Sequence, residues 1–383
     1  MSLRSAKPVK IETVETNRTF TALEQEWEDL YDDSPLATPF QSWAWLYSWW
    51  ESYGKGYELR LITVRNGEGL LVGVLPLMLE RRWGFGKLHF VGTGQTDYLD
   101  VIARKGWEEE VSEAGVSALK QMGSWQVADL HQLRPVSAAW NIFERWDWPK
   151  ARIGQHNCPI IEVKPWDELL MSFKRKTRYD IRRALRRAEA DGIRRRVAEP
   201  SDAERAARRL VALHREAWQG RDIGPEHLTQ RFESHIVAAA RRMTTRELGG
   251  ISEFWREGEV VISDFWVSGE RFFATYTVGA SQKALQQYQW SSLYIWDAVL
   301  NALDRGCSTV DLLRGEEPYK LRWSSRIIPN YRVYLGRNTF TWAPYTAYHV
   351  LRFEFVRYEQ TERAPKWIKG AIRTLGRVKR RGY

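Results

Sequence analysis

The segment Thr309–Trp323, with the sequence TVDLLRGEEPYKLRW, carries the most informative pattern in this chain. Its first residues predict a short strand that delivers Asp311, and Gly315 then provides a turn. The turn brings three charged side chains close together: Arg314, Glu316 and Lys320. Cations that hold an anion would then lie beside a potential acid or base, although a surface loop with a local salt bridge fits the same residues.

Three apolar runs separated by glycine-containing turns precede this segment and predict an antiparallel meander. The runs are Gly250–Arg256, Glu259–Val267 and Arg271–Gly279. A helix follows from about Ser291 to Arg305, with Ser291 and Ser292 at its start. Because a helix N-terminus presents free N–H groups, a pyrophosphate could bind there.

The first half of the chain has a similar order of elements. Helices are predicted at Thr21–Tyr31 and Trp43–Tyr53, and two strands then flank Asn66-Gly67, a strong hairpin sequence. Further strands are predicted at Lys87–Phe90, Tyr98–Ile102 and Trp125–Leu130, and further helices at Trp107–Met122 and Pro135–Arg145. With 383 residues, the chain is long enough for two domains.

The predicted fold class is α/β, with two tandem domains that each contain a mixed, largely antiparallel sheet flanked by helices. Pro165 interrupts the pattern between the halves, so the predicted domains are residues 1–164 and 165–340. Residues 341–383 are predicted to form a basic, helical tail.

The segment Thr309–Trp323 resembles the closing motif of the CelD/BcsL-type acetyltransferases, a branch of the GNAT superfamily with a BioF2-like acyltransferase domain. Three other stretches are similar to the same family: Phe40–Trp45, Thr96–Asp100 and the basic helix Lys174–Ala184. At the helix start, the family often has Tyr-x-Ser-Pro-Gly, where this chain has Tyr288-Gln289-Trp290-Ser291-Ser292. The resemblance covers about residues 10–340 and implies that both domains are GNAT-like.

The resemblance implies an N- or O-acyltransferase that uses acyl-CoA, with acetyl-CoA the first candidate, and no metal. Its acceptor would be a small molecule or saccharide, in the biosynthesis of a cell-surface polysaccharide. The acceptor attacks the thioester directly, which requires a general base and stabilisation of the oxyanion.

The sequence and the resemblance together predict three groups of site residues. The catalytic residues would be Asp311, Glu316 and Lys320, with one carboxylate as the base. Donor-binding residues in the second domain would be Tyr288, Ser291, Ser292, Arg314, Gly315 and Tyr319. The acceptor, in the groove between the domains, would contact Gln41, Trp43, Asp97, Tyr98 and Asp100.

Two other functions stay open. The GNAT superfamily includes the FemAB-type peptidyltransferases, which have two GNAT domains and use aminoacyl-tRNA as donor. A basic helix between Lys174 and Arg187, with eight basic residues and one acid, fits either a solvated face or an RNA-binding surface. The other alternative is a non-catalytic binding subunit of a surface-polymer pathway.

The net charge of +10 favours an anionic partner, which could be CoA phosphates, nucleic acid or an anionic membrane. Cys158 and Cys307 lie far apart, the N-terminus has no apolar signal-peptide region, and the apolar run Leu70–Leu79 is far too short to span a bilayer. These features predict a cytoplasmic protein.

The C-terminal segment Lys366–Tyr383 contains seven basic residues and no acid. Its apolar residues recur at helical spacing, so a helix here would be amphipathic. It could lie on the anionic inner leaflet of the membrane, pack on the protein itself, or be frayed.

Overall fold

The structure, a computed structural model, describes residues 7–218 and 225–359. The strands in these ranges are β1 (Val9–Val14), β2 (Glu58–Asn66), β3 (Leu71–Arg82), β4 (Phe85–Phe90), β5 (Ile102–Ala103), β6 (Val127–Leu133), β7 (Lys150–Glu162), β8 (Arg194–Val197), β9 (Gly249–Arg256), β10 (Glu259–Ser268), β11 (Phe273–Ala280), β12 (Thr309–Asp311) and β13 (Arg326–Gly336).

The helices in the same ranges are α1 (Asn17–Ala22), α2 (Glu24–Asp32), α3 (Trp43–Tyr53), α4 (Glu108–Gln121), α5 (Ala139–Arg145), α6 (Trp166–Met171), α7 (Arg175–Ala190), α8 (Ala203–Ala217), α9 (Gln230–Thr245), α10 (Gln282–Gln287), α11 (Trp290–Asp304), α12 (Pro318–Trp323) and α13 (Thr339–Glu359). Short 3₁₀ helices lie at Pro39–Gln41, Pro200–Asp202 and Pro225–Leu228.

All of these strands join one sheet, in the order β1-β2-β3-β4-β6-β13-β7-β12-β11-β10-β9-β8, with β5 beside β3. Most neighbours are antiparallel. Two pairs in the described ranges are parallel: β4 with β6, and β11 with β12. The predicted class, a largely antiparallel α/β sheet flanked by helices, is confirmed.

The centre of the sheet alternates between the two halves of the chain. β13, from the second half, lies between β6 and β7 of the first half, and β7 in turn pairs with β12 of the second half. The halves are therefore joined by exchanged strands as well as by the linker near Pro165.

Helices cover both faces of the second half of the sheet. α8 and α9 pack on one face, in a core with Phe265 and Ala274, and α11 packs on the other, in a core with Ile262 and Phe273. Period-2 alternation along β10 and β11 sends neighbouring side chains to these opposite cores.

Three predicted elements were wrong in extent. Tyr98–Ile102 is mostly loop: the Tyr98 carbonyl accepts from the Gln41 side chain instead of from a neighbouring strand, and Ile102 alone of this segment lies in β5. The sequence pattern over Asp167–Ala190 predicts one helix, but the structure has two, α6 and α7, because the backbone at Lys174 is extended. Thr21–Tyr31 is likewise divided between α1 and α2.

The predicted tail helix within Lys366–Tyr383 lies outside the described residues. Among the helices of the described ranges, none combines the length and apolar character needed to cross a membrane. Cys158 and Cys307 are both buried free thiols. The domain boundaries at residues 164 and 340 stay predictions.

Candidate active site

The parallel strands β11 and β12 separate soon after they meet. They pair at one Cα position, Ala274 opposite Asp311, and then diverge toward their carboxyl ends. A cavity of about 400 Å³ opens between them. Ligands of sheets with parallel strands commonly bind outside the carboxyl ends of those strands, so this cavity is the candidate substrate site.

The cavity reaches both faces of the sheet. Side chains from the face of α8 line one side: His214, Ala217, Trp218 and His227. Side chains from the face of α11 line the other: Leu285, Trp290, Tyr294 and Tyr319. Two substrates could therefore approach the open edge of β11 from opposite sides.

The first half of the chain closes one wall of the cavity through Asp97. The Arg314 Nε atom lies 3.0 Å from the Asp97 carboxylate, and Arg314 Nη2 donates to the Gly94 carbonyl at 2.9 Å. Lys320 Nζ donates to the Arg314 carbonyl at 2.8 Å. The structure thus brings Asp97, Arg314 and Lys320 together.

The predicted Glu316 and its neighbour Glu317 lie in different surroundings. Glu316 is exposed, whereas Glu317 lines the cavity and lies 3.3 Å from Lys320 Nζ. Gly315 has φ +117°, and its amide donates to the Asn157 carbonyl at 3.0 Å. Tyr319 lines the cavity.

Asp311 lies buried behind the cavity wall. Its carboxylate accepts from the Tyr98 hydroxyl at 2.8 Å and from the Leu313 amide at 2.7 Å. Burial raises the pKa of Asp311 to about 6. Leu313 has φ +57°, an unusual conformation for a bulky residue, and the Asp311 carboxylate holds it there. Asp311 therefore shapes the turn and connects it to the first half.

Two histidines that the sequence analysis missed form a hydrogen-bonded pair in the cavity. His214 Nδ1 lies 2.8 Å from the Val278 carbonyl, and His214 Nε2 lies 3.2 Å from His227 Nδ1. Because a carbonyl only accepts, neutral His214 carries its proton on Nδ1 and accepts from His227 Nδ1–H. Neutral His227 then has a lone pair on Nε2.

Both histidines are neutral near pH 7. Burial lowers the pKa of His214 to about 4, and burial together with the charge of Arg314 lowers the pKa of His227. His214 and His227 lie in different elements, and no sequence spacing indicates that they meet.

The predicted donor-phosphate residues lie at the start of α11 and just before it. Gln289 is the N-cap, so Ser291 and Ser292 lie inside the first turn, and Ser292 has no exposed surface. The Ser291 hydroxyl is 3.4 Å from Arg322 Nη2. The Tyr288 hydroxyl donates to Asp191 at 2.6 Å, outside the main cavity.

Most predicted acceptor residues are buried and already hydrogen-bonded. Gln41 Nε2 donates to the Tyr98 carbonyl at 2.7 Å, and Trp43 Nε1 donates to the Phe20 carbonyl at 3.0 Å. The Asp100 carboxylate accepts from Ser137 and from two amides at the start of α5. Of this group, Asp97 lines the cavity. Tyr98 lies behind the cavity wall, where its hydroxyl donates to Asp311.

The other parallel pair, β4 and β6, does not open into a comparable cavity. Apolar side chains fill the corresponding space, among them Leu77, Phe90 and Leu130, and leave about 10 Å³. The two halves therefore share a strand arrangement, but the wide cavity lies in the second half.

One cluster in the described ranges has a geometry that could bind a metal ion: His89, Asp129 and His131, with ligand atoms within 4.8 Å of one another. The Asp129 oxygens already accept from the Arg332 guanidinium and from the Tyr345 hydroxyl. A metal would have to displace these donors. That the acyltransferase site uses no metal stays a prediction.

The fold agrees with that of GNAT-type acyl- and aminoacyltransferases. Residues 175–321, which include β11, β12 and most of the cavity, match the family model described as Acetyltransferase (GNAT) domain. The CelD/BcsL subtype is a finer assignment and stays a prediction. No curated protein matches the sequence.

Several solved structures share the fold across both halves of the chain. FemX is 12% identical, with a TM-score of 0.58 over 84% of this chain and 96% of its own. A conserved protein of unknown function from Bacteroides thetaiotaomicron is 10% identical, with a TM-score of 0.56 over 85% of this chain and 100% of its own. L-PGS from Bacillus licheniformis is 11% identical, with a TM-score of 0.53 over 87% and 96%.

Proposed function

We propose that this protein is an N- or O-acyltransferase whose donor and acceptor meet in the cavity between β11 and β12. The observation that supports this most strongly is the cavity itself, which opens to both faces of the sheet within a GNAT fold. The donor would approach from the face of α11. The acceptor would approach from the face of α8, beside Asp97.

His227 is the best-placed base for the reaction. The acceptor nitrogen or oxygen attacks the carbonyl carbon, and its proton passes to His227 Nε2. The new bond forms as the bond to the carrier breaks, and the released carrier takes up a proton. Lys320 and Arg314 would stabilise the negative charge that develops on the carbonyl oxygen. Asp311, predicted as a base, would act through the shape of the turn instead.

The first candidate donor is acyl-CoA, with acetyl-CoA as the simplest member. The match to an acetyltransferase domain and the volume of the cavity support this donor. The resemblance of Thr309–Trp323 to CelD/BcsL-type enzymes supports a saccharide acceptor of a surface-polymer pathway. The protein would then act in the cytoplasm, where acyl-CoA is made.

The second candidate donor is an aminoacyl-tRNA. The shared fold with FemX and L-PGS fits this donor, and so does the outer face of α7. Five exposed basic residues at the start of α7 and along it have no acidic partner among the described residues: Lys174, Arg175, Lys176, Arg183 and Arg186. Such a face could hold RNA phosphates, and binding would then weaken steeply with salt.

Calorimetric titration of the full chain with acetyl-CoA, longer acyl-CoAs and charged tRNA tests the proposal. We expect one carrier to bind, and the acyl-CoA series to bind in preference to tRNA. Salt-sensitive binding of tRNA alone, lost in a variant with Arg175 and Arg183 changed to Glu, would select the second candidate. If no donor binds, the result would contradict the proposed transferase activity and favour a non-catalytic subunit.

A further inference from the structure

Asp264 is a buried acid in the wall of the candidate active site. It lies on β10, has no exposed surface, and lines the cavity. Both of its carboxyl oxygens lack a hydrogen-bond partner among the described residues. An unpartnered buried polar group is costly, so its presence calls for an explanation.

Every other buried acid in the described ranges has a partner. Asp100 accepts from Ser137, Asp129 from Arg332, Glu253 from Arg209, Asp297 from Asn301 and Asp311 from Tyr98. Glu28 and Asp97 also each have a partner, the Ala44 amide and Arg314. Asp264 is therefore an exception in a chain that otherwise pairs its buried carboxyl groups.

Among the described residues, the charge that acts on Asp264 is negative, and the two cations that line the cavity are bound elsewhere, Arg314 to Asp97 and Lys320 to the Arg314 carbonyl. Asp297, on the facing helix α11, raises the pKa of Asp264 further after burial has raised it. Arg195 is bound to Asp297 and Asn301 and is therefore not available to Asp264. Two tyrosines of the α11 face, Tyr294 and Tyr319, also lie close enough for the charge of Asp264 to raise their pKa.

We propose that Asp264 binds a protonated amine carried by the acyl group that this enzyme transfers. An ammonium group would supply both the missing hydrogen-bond donors and the missing positive charge, whereas a hydroxyl would supply one donor and a methyl none. The transferred group would then be an aminoacyl group rather than acetyl. This inference rests on the proposed function, because it assumes that the cavity holds an acyl donor.

The α11 face favours the acyl group over the acceptor as the source of the amine. Asp264 lies on that face with Tyr294, whereas His227 and Asp97 lie where the acceptor would enter. An attacking amine must also lose its proton before it reacts, and a carboxylate that holds it as ammonium would oppose this.

The test compares three acyl groups of equal length on two carriers. Butyryl, 3-hydroxypropanoyl and 3-aminopropanoyl groups are attached to CoA and, as stable amides, to 3′-amino-3′-deoxyadenosine. Calorimetry on the full chain identifies which carrier binds. On that carrier, the 3-aminopropanoyl compound should bind at least about tenfold more tightly than the butyryl compound. Asp264→Asn should reduce this preference to near unity, and Asp264→Leu should favour butyryl.

Two further measurements separate recognition from a structural role. Ser263→Ala removes another buried, unpartnered group of β10, outside the cavity lining, and should leave the preference intact. The melting temperature of Asp264→Leu should equal or exceed that of the wild type, because the variant removes an unsatisfied group.

Equal binding of the three acyl groups, a preference for the hydroxyl compound, or an amine preference that survives in Asp264→Leu would overturn the inference. These outcomes leave the proposed function standing, since the carrier still binds. If no compound binds on either carrier, the proposed function and this inference both fail.

Discussion

At the scale of single residues, the cavity contains charged and neutral groups whose neighbours set their protonation. Arg314 is held by Asp97, and Lys320 by the Arg314 carbonyl, so two cations have fixed positions beside the open edge of β11. The His214–His227 pair stays neutral because it is buried beside Arg314. Direct acyl transfer requires a fixed cation and a neutral base, and side chains of both kinds line this cavity.

Removing the Lys320 ammonium should slow acyl transfer strongly. We expect Lys320→Ala to lower the turnover number by about two to three orders of magnitude, since a charge aimed at the oxyanion is lost. Circular dichroism should show an unchanged fold. Lys105→Ala, an exposed lysine outside the cavity, serves as the control and should keep full activity. An unchanged rate for Lys320→Ala would remove this residue from the mechanism.

The pH dependence of kcat/KM tests His227. Since its pKa is lowered, His227 stays neutral, and competent as a base, well below the ordinary histidine pKa of about 6.5. The rate should therefore stay high through pH 6.5 and fall only at lower pH, as the ring becomes protonated. His227→Gln should lower the rate and abolish this acid limb, whereas His349→Gln, in α13 and outside the cavity, should not. An acid limb that persists in His227→Gln would show that another group is the base.

At the scale of elements, β13 secures the junction between the halves. Asp129 of β6 accepts a bidentate pair of hydrogen bonds from Arg332 of β13, at 2.6 and 2.5 Å, and a third from Tyr345 of α13. His131 and Arg332 hold the pKa of Asp129 well below its usual value despite burial. The strand and the helix after it are thus both fixed to the first half.

Asp129→Ala should destabilise the whole chain. It leaves the largely buried Arg332 without its counter-charge, which typically lowers the free energy of unfolding by about 3–5 kcal/mol. Urea denaturation measures this change, and Asp147→Ala, which breaks an exposed pair with Lys120, should stay close to the wild type.

The stability that Asp129 contributes also depends on pH. Because its folded-state pKa is depressed, the contribution is complete above its unfolded pKa of about 4 and is lost as pH falls below that value. The difference in stability between wild type and Asp129→Ala should therefore shrink in acid. A difference that is small at pH 7, or constant down to pH 3, would contradict this account.

At the scale of the whole molecule, the exchanged strands make the two halves depend on each other. β13 has first-half strands on both edges, and β12 pairs with β7 of the first half. The cavity also needs both halves, because Asp97 of the first half holds Arg314 of the second. The two halves therefore share one sheet and one cavity, and we expect them to fold as one unit.

Residues 165–340 alone should not fold, although they were predicted as a domain. In isolation, β13 would lose both neighbours and β12 would lose β7, which exposes unpaired strand edges. We expect the isolated segment to show no cooperative thermal transition by circular dichroism. The full chain should unfold in one transition. A cooperative transition of the segment alone would establish it as an independent domain.

Much of the fold follows from local sequence patterns. The helix Trp43–Tyr53 and the meander β9–β11 were predicted within a few residues, because apolar periodicity and glycine-containing turns are local properties. The turn that places Arg314 near Lys320 was predicted for the same reason. Asp264 also has a local signal in the sequence, because it is a single acid inside the apolar run of β10.

Local sequence patterns were enough to predict the class of fold, the two-part order of elements and the place of Thr309–Trp323 in the candidate site. Only the folded chain shows which parallel pair opens into a cavity, and that β7 and β13 exchange between the halves. It also shows that His214 meets His227, and that Asp264, alone among the buried acids described, has no partner. These features depend on contacts between residues distant in the chain, and local periodicity and turn chemistry contain no information about which distant side chains meet.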